Sequence, residues 1–231
     1  MSPTEPDRFL TMARDVADAW VEPAEIDLDE QAQRLASSVL KRALDIVLAL
    51  AALLVLAPVL IATALAIVLE SPGNPFFQQR RTGYRGSPFV IYKFRSMRVR
   101  EDGETIVQAQ RADSRITGVG AFIRRTSIDE LPQLLNVLKG EMSLVGPRPH
   151  ALAHDTYYGR CIAEYNLRFL ARPGITGLAQ VSGLRGQTED VSLMAARVEK
   201  DVEYIGVWSL WLDVKILVKT LLIFAFHPAA Y

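Results

Sequence analysis

The sequence predicts a helix-rich α+β fold of the monotopic kind, a compact domain held on one side of a membrane by a re-entrant helix. Three observations carry that prediction. Residues 46–69 are apolar apart from Thr63, which exceeds the roughly 18 residues that mark a candidate membrane helix. Basic residues flank the run at both ends, Lys41 and Arg42 before it and Arg80, Arg81, Arg85, Lys93 and Arg95 after it, so both ends favour the cytoplasmic side. Two short strand-like stretches around Gly83 and Gly86 then lead into mostly helical spacing, which ends in an apolar, tryptophan-bearing stretch interrupted by charge.

The chain has 231 residues, half of them apolar, enough for one sizeable core and too apolar for disorder as a whole. Its 26 basic and 26 acidic residues cancel, but Glu5, Asp7, Asp15, Asp18, Glu22, Glu25, Asp27, Asp29 and Glu30 crowd the N-terminus and leave the remainder basic. Residues 1–40 therefore read as an acidic cytoplasmic extension, helical around residues 9–20. Its opening is polar, unlike a signal peptide. Cys161 is the only cysteine, which excludes an intrachain disulfide and leaves a buried structural thiol as its expected role.

Residues 41–70 form the membrane element. Pro58 lies near its middle, where it removes a helix hydrogen bond, so a bend is expected at Ala57-Pro58. Asp45 is expected at the interface, since a charge in the hydrocarbon costs at least about 2.5 kcal/mol. Ser71-Pro72-Gly73-Asn74-Pro75 is a loop, and residues 76–79 and 89–94 make a short β-hairpin. Strand alternation directs Lys93 and Arg95 to one face and Tyr92 and Phe94 to the other, a pair of cations that suits phosphate or simply faces water. Residues 101–113 read as a polar surface segment. Residues 133–139 have helical spacing that stops at Gly140, 142–145 form a strand, and 157–170 an amphipathic helix. His150 and His154 are four apart but lack a third ligand in sequence. Residues 204–231 end in a helix lying in the headgroup region, with Trp208 and Trp211 as anchors and Asp213, Lys215 and Lys219 interrupting its apolar face; covering the domain is the alternative role.

The densest chemical signal is Ser127-Ile128-Asp129-Glu130-Leu131-Pro132-Gln133-Leu134, followed by Gly146-Pro147-Arg148-Pro149. An aspartate can attack phosphorus, an adjacent glutamate can hold a divalent cation, and an arginine can neutralise the transition state. Prolines on both sides of Arg148 limit the entropy lost in presenting its guanidinium. A structural alternative stands beside this one, because Ser127 and Glu130 fit an S-x-x-E capping box. A helix from Ser127 would carry Pro132 past its first positions, and one from Leu131 would have it at N1. Both place Asp129 and Glu130 at a helix N-terminus.

Lys93-Phe94-Arg95-Ser96-Met97, Asp129-Glu130-Leu131-Pro132-Gln133, Gly146-Pro147-Arg148-Pro149 and Arg172-Pro173-Gly174-Ile175-Thr176-Gly177 stand in the same order as in the bacterial sugar transferases. From about Lys41 onward the chain resembles the small monotopic phosphoglycosyl transferases of that family. The resemblance implies a catalytic domain over residues 71–203 that transfers a hexose 1-phosphate from a UDP-sugar to undecaprenyl phosphate, releasing UMP and initiating exopolysaccharide or another surface glycan. It implies Asp129 as the nucleophile of a phosphoaspartyl intermediate and Glu130 as the Mg²⁺ ligand. Arg148 would bind phosphate, with Lys93, Arg95 and Arg125 as further candidates and Arg185 near the nucleotide. It also implies the inner membrane of a bacterium, with the site on the cytoplasmic face among membrane lipids. The family's Arg-Gly-Glu-Thr is here Arg185-Gly186-Gln187-Thr188, without the acidic group. The stretch with Tyr204, Trp208-Ser209-Leu210-Trp211-Leu212-Asp213 and Lys215 looks similar to members that use glucose or galactose, and glucose is favoured. No nucleic-acid partner is expected, and a homodimer is left open. Two other readings remain at this stage: a membrane phosphohydrolase with water as acceptor, and a non-catalytic membrane scaffold.

Overall fold

The computed structural model describes residues 27–98, 115–186 and 190–226. The expectations for residues 1–26, for 101–113 and for Gln187 and Thr188 lie outside them. Helix α1 (Leu28–Ser37) starts at Asp27, whose carboxylate accepts from the amides of Asp29 at 3.0 Å and Glu30 at 3.2 Å. Its Ala32 and Leu35 are buried in the main core, and Arg172 donates to the Ala36 carbonyl at 3.1 Å. These residues therefore belong to the folded unit, and the boundary drawn at residue 40 is too late. Their apolar stripe is short and sits among acidic residues, which is why it read as part of the extension.

Helix α2 (Val39–Glu70) runs 32 residues and is, among the described residues, the one helix long and apolar enough to cross a membrane. It stays helical through Pro58, the residue at which a bend is expected. A proline removes a single amide, so the ladder on either side of it can continue.

Both ends of α2 rest on the same folded unit. Near its start, Arg42 donates to the carbonyls of Val137 at 2.6 Å and Leu138 at 2.8 Å, and Asp45 accepts from the Leu144 amide at 3.0 Å. Asp45 is thus sheltered by protein. Ala49, Ala52 and Leu53 join the main core. Beyond Pro58, Ile67 packs with Phe94 and Ile123, with Leu60 and Ala64 against them. At the far end, the Glu70 carboxylate accepts from the amides of Gly118 at 2.7 Å and Val119 at 2.9 Å. Between the two contact regions Leu54 and Val55 are 77% and 76% exposed, an apolar tip bare of protein.

Strands β1 (Phe76–Thr82) and β2 (Pro88–Phe94) form the expected antiparallel hairpin, pairing Phe77 with Lys93 and Arg81 with Phe89. Helix α3 (Gly118–Arg125) leads to a 3₁₀ helix (Ile128–Gln133) and then to α4 (Leu134–Lys139). The buried Asn136 of α4 serves the edge of β2 as a missing strand would. Its side chain donates to the Val90 carbonyl at 2.7 Å and accepts from the Tyr92 amide at 3.1 Å. Strands β3 (Ser143–Val145) and β4 (Gly174–Thr176) pair in parallel, and a Cβ on Gly146 would strike the Arg172 carbonyl, so the Gly-Pro-Arg-Pro turn packs against the Arg172-Pro173-Gly174 segment.

The predicted helix over 157–170 is two elements, α5 (Leu152–Cys161) and a 3₁₀ helix (Tyr165–Leu170), and Cys161 is exposed at the end of α5 rather than buried. After α6 (Leu178–Val181) and α7 (Val191–Gly206), α8 (Leu210–Phe226) packs on β3 and β4 through Asp213, Ile216 and Thr220, while Trp211, Val218, Leu221 and Leu222 stay exposed. Trp208 is half-buried. Its indole donates to Asp213 at 3.1 Å and so braces the domain.

Asp213 also accepts from Lys41 at 2.8 Å and from the Tyr204 hydroxyl at 2.8 Å, and Lys41 donates further to the Val145 carbonyl at 3.2 Å. Removing one partner of a buried pair costs about 3–5 kcal/mol because the other charge stays behind. Lys41→Ala should therefore lower the melting temperature in detergent by roughly 10 °C. Lys41→Met combined with Asp213→Asn should recover part of that loss; a double variant no better than Lys41→Ala would mean that the pairing is not what Lys41 supplies.

Candidate active site

The carboxylate segment is aimed by an unusual backbone. Ser127 takes a left-handed conformation (φ 56°) between α3 and the 3₁₀ helix, uncommon for a residue other than glycine, and its side chain caps nothing. The capping box is absent. In the left-handed turn the Ser127 hydroxyl instead accepts from Arg185 at 3.1 Å. Pro132 sits inside the 3₁₀ helix, ahead of α4, so neither predicted helix start is realised; Asp129 and Glu130 occupy the first turn of the short 3₁₀ helix.

The 3₁₀ helix packs on β2, and this brings Lys93 to Glu130. The Lys93 ammonium donates to Glu130 Oε1 at 2.7 Å, and Arg148 grips the same carboxylate with two bonds, Nη1 to Oε2 at 3.1 Å and Nη2 to Oε1. Glu130 is buried, yet the Arg148 and Lys93 charges outweigh that burial and hold its carboxyl well below the usual range. Asp129 differs in every respect. It is half-buried, and among the described residues no side chain donates to it. Burial and the neighbouring Glu130 charge raise its pKa to about 6, against the pull of Lys93, Arg124 and Arg148.

Four sequence-predicted residues, Lys93, Asp129, Glu130 and Arg148, thus form one cluster. Arg95 does not join them. It follows the last residue of β2, where alternation ends, and its guanidinium donates to the carbonyls of Ser71 at 2.5 Å and Pro72 at 2.8 Å, stapling the loop that leaves α2. Arg125 is exposed at the end of α3, and among the described residues it contacts none of the cluster. Its neighbour Arg124 is the one whose charge reaches Asp129, a residue the sequence reading passed over although the buried Gly120 and Ile123 define the inner face of α3. Arg185 lies beside the segment, bonded to Ser127 and stacked over the Phe224 ring of α8 at 4.5 Å.

A second cationic group, also missed, stands behind Arg148. Arg81 is pulled down to about 10 by burial and the Arg148 charge, and Arg197 is lowered for the same reasons. His150 is held neutral by burial and by Arg168, Arg197, Arg148 and Arg81 around it.

The family model described as bacterial sugar transferase matches residues 36–227, and the chain belongs to that family. It is 58% identical over 187 residues to the UDP-glucose:undecaprenyl-phosphate glucose-1-phosphate transferase of Caulobacter vibrioides, covering 81% of this chain and 70% of that protein. The protein of the same name in Escherichia coli K12 is 52% identical over 192 residues, covering 83% of this chain and 41% of the relative. A UDP-N-acetylgalactosamine-undecaprenyl-phosphate N-acetylgalactosaminephosphotransferase of Aeromonas hydrophila is 45% identical over 182 residues, covering 79% and 43%. The chain therefore spans about two fifths of the length of the latter two.

The two carboxylates act on stability in opposite senses. Asp129 has a folded-state pKa near 6 against an ordinary 3.8, so the fold favours its protonated form and loses stability as pH rises between those values. At pH 8 Asp129→Asn should raise the melting temperature by roughly 2–6 °C, an advantage that vanishes below about pH 4. Glu130 is depressed, so its contribution is present at neutral pH and lost as pH falls through its lowered pKa; Glu130→Gln should melt earlier at pH 8. Calorimetry of both variants across pH checks the signs, and a destabilised Asp129→Asn would remove the electrostatic account.

Proposed function

We propose that the chain transfers a hexose 1-phosphate, with glucose as the favoured hexose, from a UDP-sugar to undecaprenyl phosphate, and so begins a surface glycan. The observation that carries this is the contrast within one dipeptide: a bare Asp129 beside a Glu130 clasped by two cations. An Asp129 oxygen attacks the β-phosphorus, the bond from that phosphorus to the bridging oxygen breaks, and UMP leaves with the electron pair. An oxygen of undecaprenyl phosphate then attacks the phosphoaspartyl phosphorus, freeing the Asp129 carboxylate and leaving a lipid-linked sugar diphosphate. The names of the relatives from Caulobacter vibrioides and Escherichia coli support the substrates and the sugar.

Lys93 and Arg148 are spent on Glu130 in this structure, and incoming phosphates are the anions to which they can move. That exchange frees Glu130. Glu130 offers oxygen ligands of the kind Mg²⁺ takes, and among the described residues no cluster of three acidic, histidine or cysteine side chains would bind a metal alone, so the substrate's phosphates would complete the set. When bound, Mg²⁺ would neutralise phosphate charge during the transfer.

We read α2 as re-entrant, with the site on the cytoplasmic face. A straight 32-residue helix would be about 48 Å long, yet its two ends meet α4 and α3, which both pack on the 3₁₀ helix of the site. Lys41, Arg42, Arg80 and Arg81 at the two ends agree. In a Cys161→Ser background, single cysteines at the exposed positions 37 and 74 should be labelled from the cytoplasmic side of intact membranes. Labelling of position 37 only from outside would leave a single span.

A covalent intermediate predicts kinetics as well. Purified enzyme freed of lipid should release about one UMP per active site from UDP-glucose in a burst, then stop until undecaprenyl phosphate is added. No UMP without the lipid would point to direct attack by the acceptor and exclude Asp129 as nucleophile.

A further inference from the structure

Arg168 and Asp201 form the most buried ion pair among the described residues, 2% and 1% exposed, and touch neither Asp129 nor Glu130. Every donor of the guanidinium is used. Arg168 Nε and Nη2 donate to Asp201 Oδ2 at 3.2 and 2.7 Å, Nη1 donates to His150 Nδ1 at 2.6 Å and to the Tyr165 hydroxyl at 3.2 Å, and Nη2 also donates to the Arg148 carbonyl at 2.7 Å. Buried pairs seldom repay their desolvation in stability, so the direction of these bonds matters more than their number.

The bond to Arg148 is the informative one. Pro147 and Pro149 stiffen the turn internally but do not fix where it sits on the domain. The Gly174 amide holds the Pro147 carbonyl at 2.9 Å, and Arg168 holds the next peptide plane, from which the Arg148 side chain reaches Glu130. The anchor extends in two directions. Tyr165 donates to Asp155 at 2.6 Å, which accepts from Thr82 of β1 at 2.7 Å. One turn before Asp201 on α7, Arg197 donates to the carbonyls of Leu184 at 3.1 Å and Gly186 at 3.0 Å, so one helix face steadies both the Arg148 turn and the segment carrying Arg185.

We propose that Arg168, set by Asp201, is a positioning residue that fixes the Arg148 turn so that its guanidinium meets Glu130 and, on the transferase reading above, the substrate phosphate. Arg168→Lys keeps a charge opposite Asp201, but one ammonium cannot reproduce the planar fork that spans Asp201 and the Arg148 carbonyl. Two measurements test it. In the otherwise native chain, the melting-temperature shifts of Arg148→Ala and Glu130→Gln should be non-additive by about 3 °C or more, and in the Arg168→Lys background they should add. Coupling that survives Arg168→Lys overturns the proposal, and if that variant does not fold, Asp201→Asn takes its place in the same cycle. In single turnovers with UDP-glucose, Arg168→Lys should slow UMP release about ten-fold or more, yet have less than about a two-fold effect when Arg148 is already alanine. A merely structural role would multiply the two losses and sink the idea. Absence of UMP from the native chain would count against the transferase reading alone, since the melting cycle decides the positioning without any turnover.

Discussion

Lys41 reaches from the first turn of the apolar helix into the domain, and its bond to Asp213 is the contact on which the remaining architecture rests. The same ammonium holds the Val145 carbonyl, and Val145 is the last residue of β3 before the Gly-Pro-Arg-Pro turn. Asp213 in turn collects Tyr204 from α7 and Trp208 from the connection to α8. One charge pair therefore joins the membrane element, the strand that delivers Arg148 and the C-terminal helix. With Glu70 tied to the start of α3 at the other end, the apolar helix is fastened at both ends to the unit that carries the carboxylates. On the proposed transferase reading, a water-soluble donor and a lipid acceptor share one site, and the two fastenings would hold that site in a constant relation to the apolar helix.

Within the site the two carboxylates act in opposite senses, Glu130 for stability and Asp129 against it. Two cations converge on Glu130, while Asp129 next to it has a charge that the fold opposes. A carboxylate without hydrogen-bond donors is a poor structural group and a good nucleophile, because little solvation has to be stripped from it before attack. The surrounding positive charge also lowers the cost of gathering several phosphate oxygens in one place.

Much of the fold was legible in local pattern. The hairpin followed from alternation over residues 89–94 and β3 from the apolar run ahead of the turn, whereas the cluster of Lys93, Asp129, Glu130 and Arg148 followed from the motif order that carries the resemblance to the bacterial sugar transferases. Failures came where tertiary contacts override pattern. Ser127 matched a capping box but adopted a left-handed turn, because its hydroxyl is bonded to Arg185, 58 residues away. Arg95 shared the parity of Lys93, yet the strand ends at Phe94 and the guanidinium folds back on Ser71 and Pro72. Arg124 could have been preferred to Arg125 by helical period from Gly120 and Ile123. No local signal marks Arg168 and Asp201, whose partnership spans 33 residues and two intervening elements, β4 and α6.

Because Glu130 already lies in the grip of Lys93 and Arg148, the site contains its own resident competitor. A ligand enters only by taking those cations from a carboxylate tethered at very high local concentration. A free sugar, uncharged, has nothing to offer in that exchange, whereas a diphosphate brings more negative charge than the group it displaces. On the transferase reading, selectivity for the activated donor over the abundant neutral hexose would thus be set before any sugar hydroxyl is read, by a contest between anions in which one contestant is part of the protein.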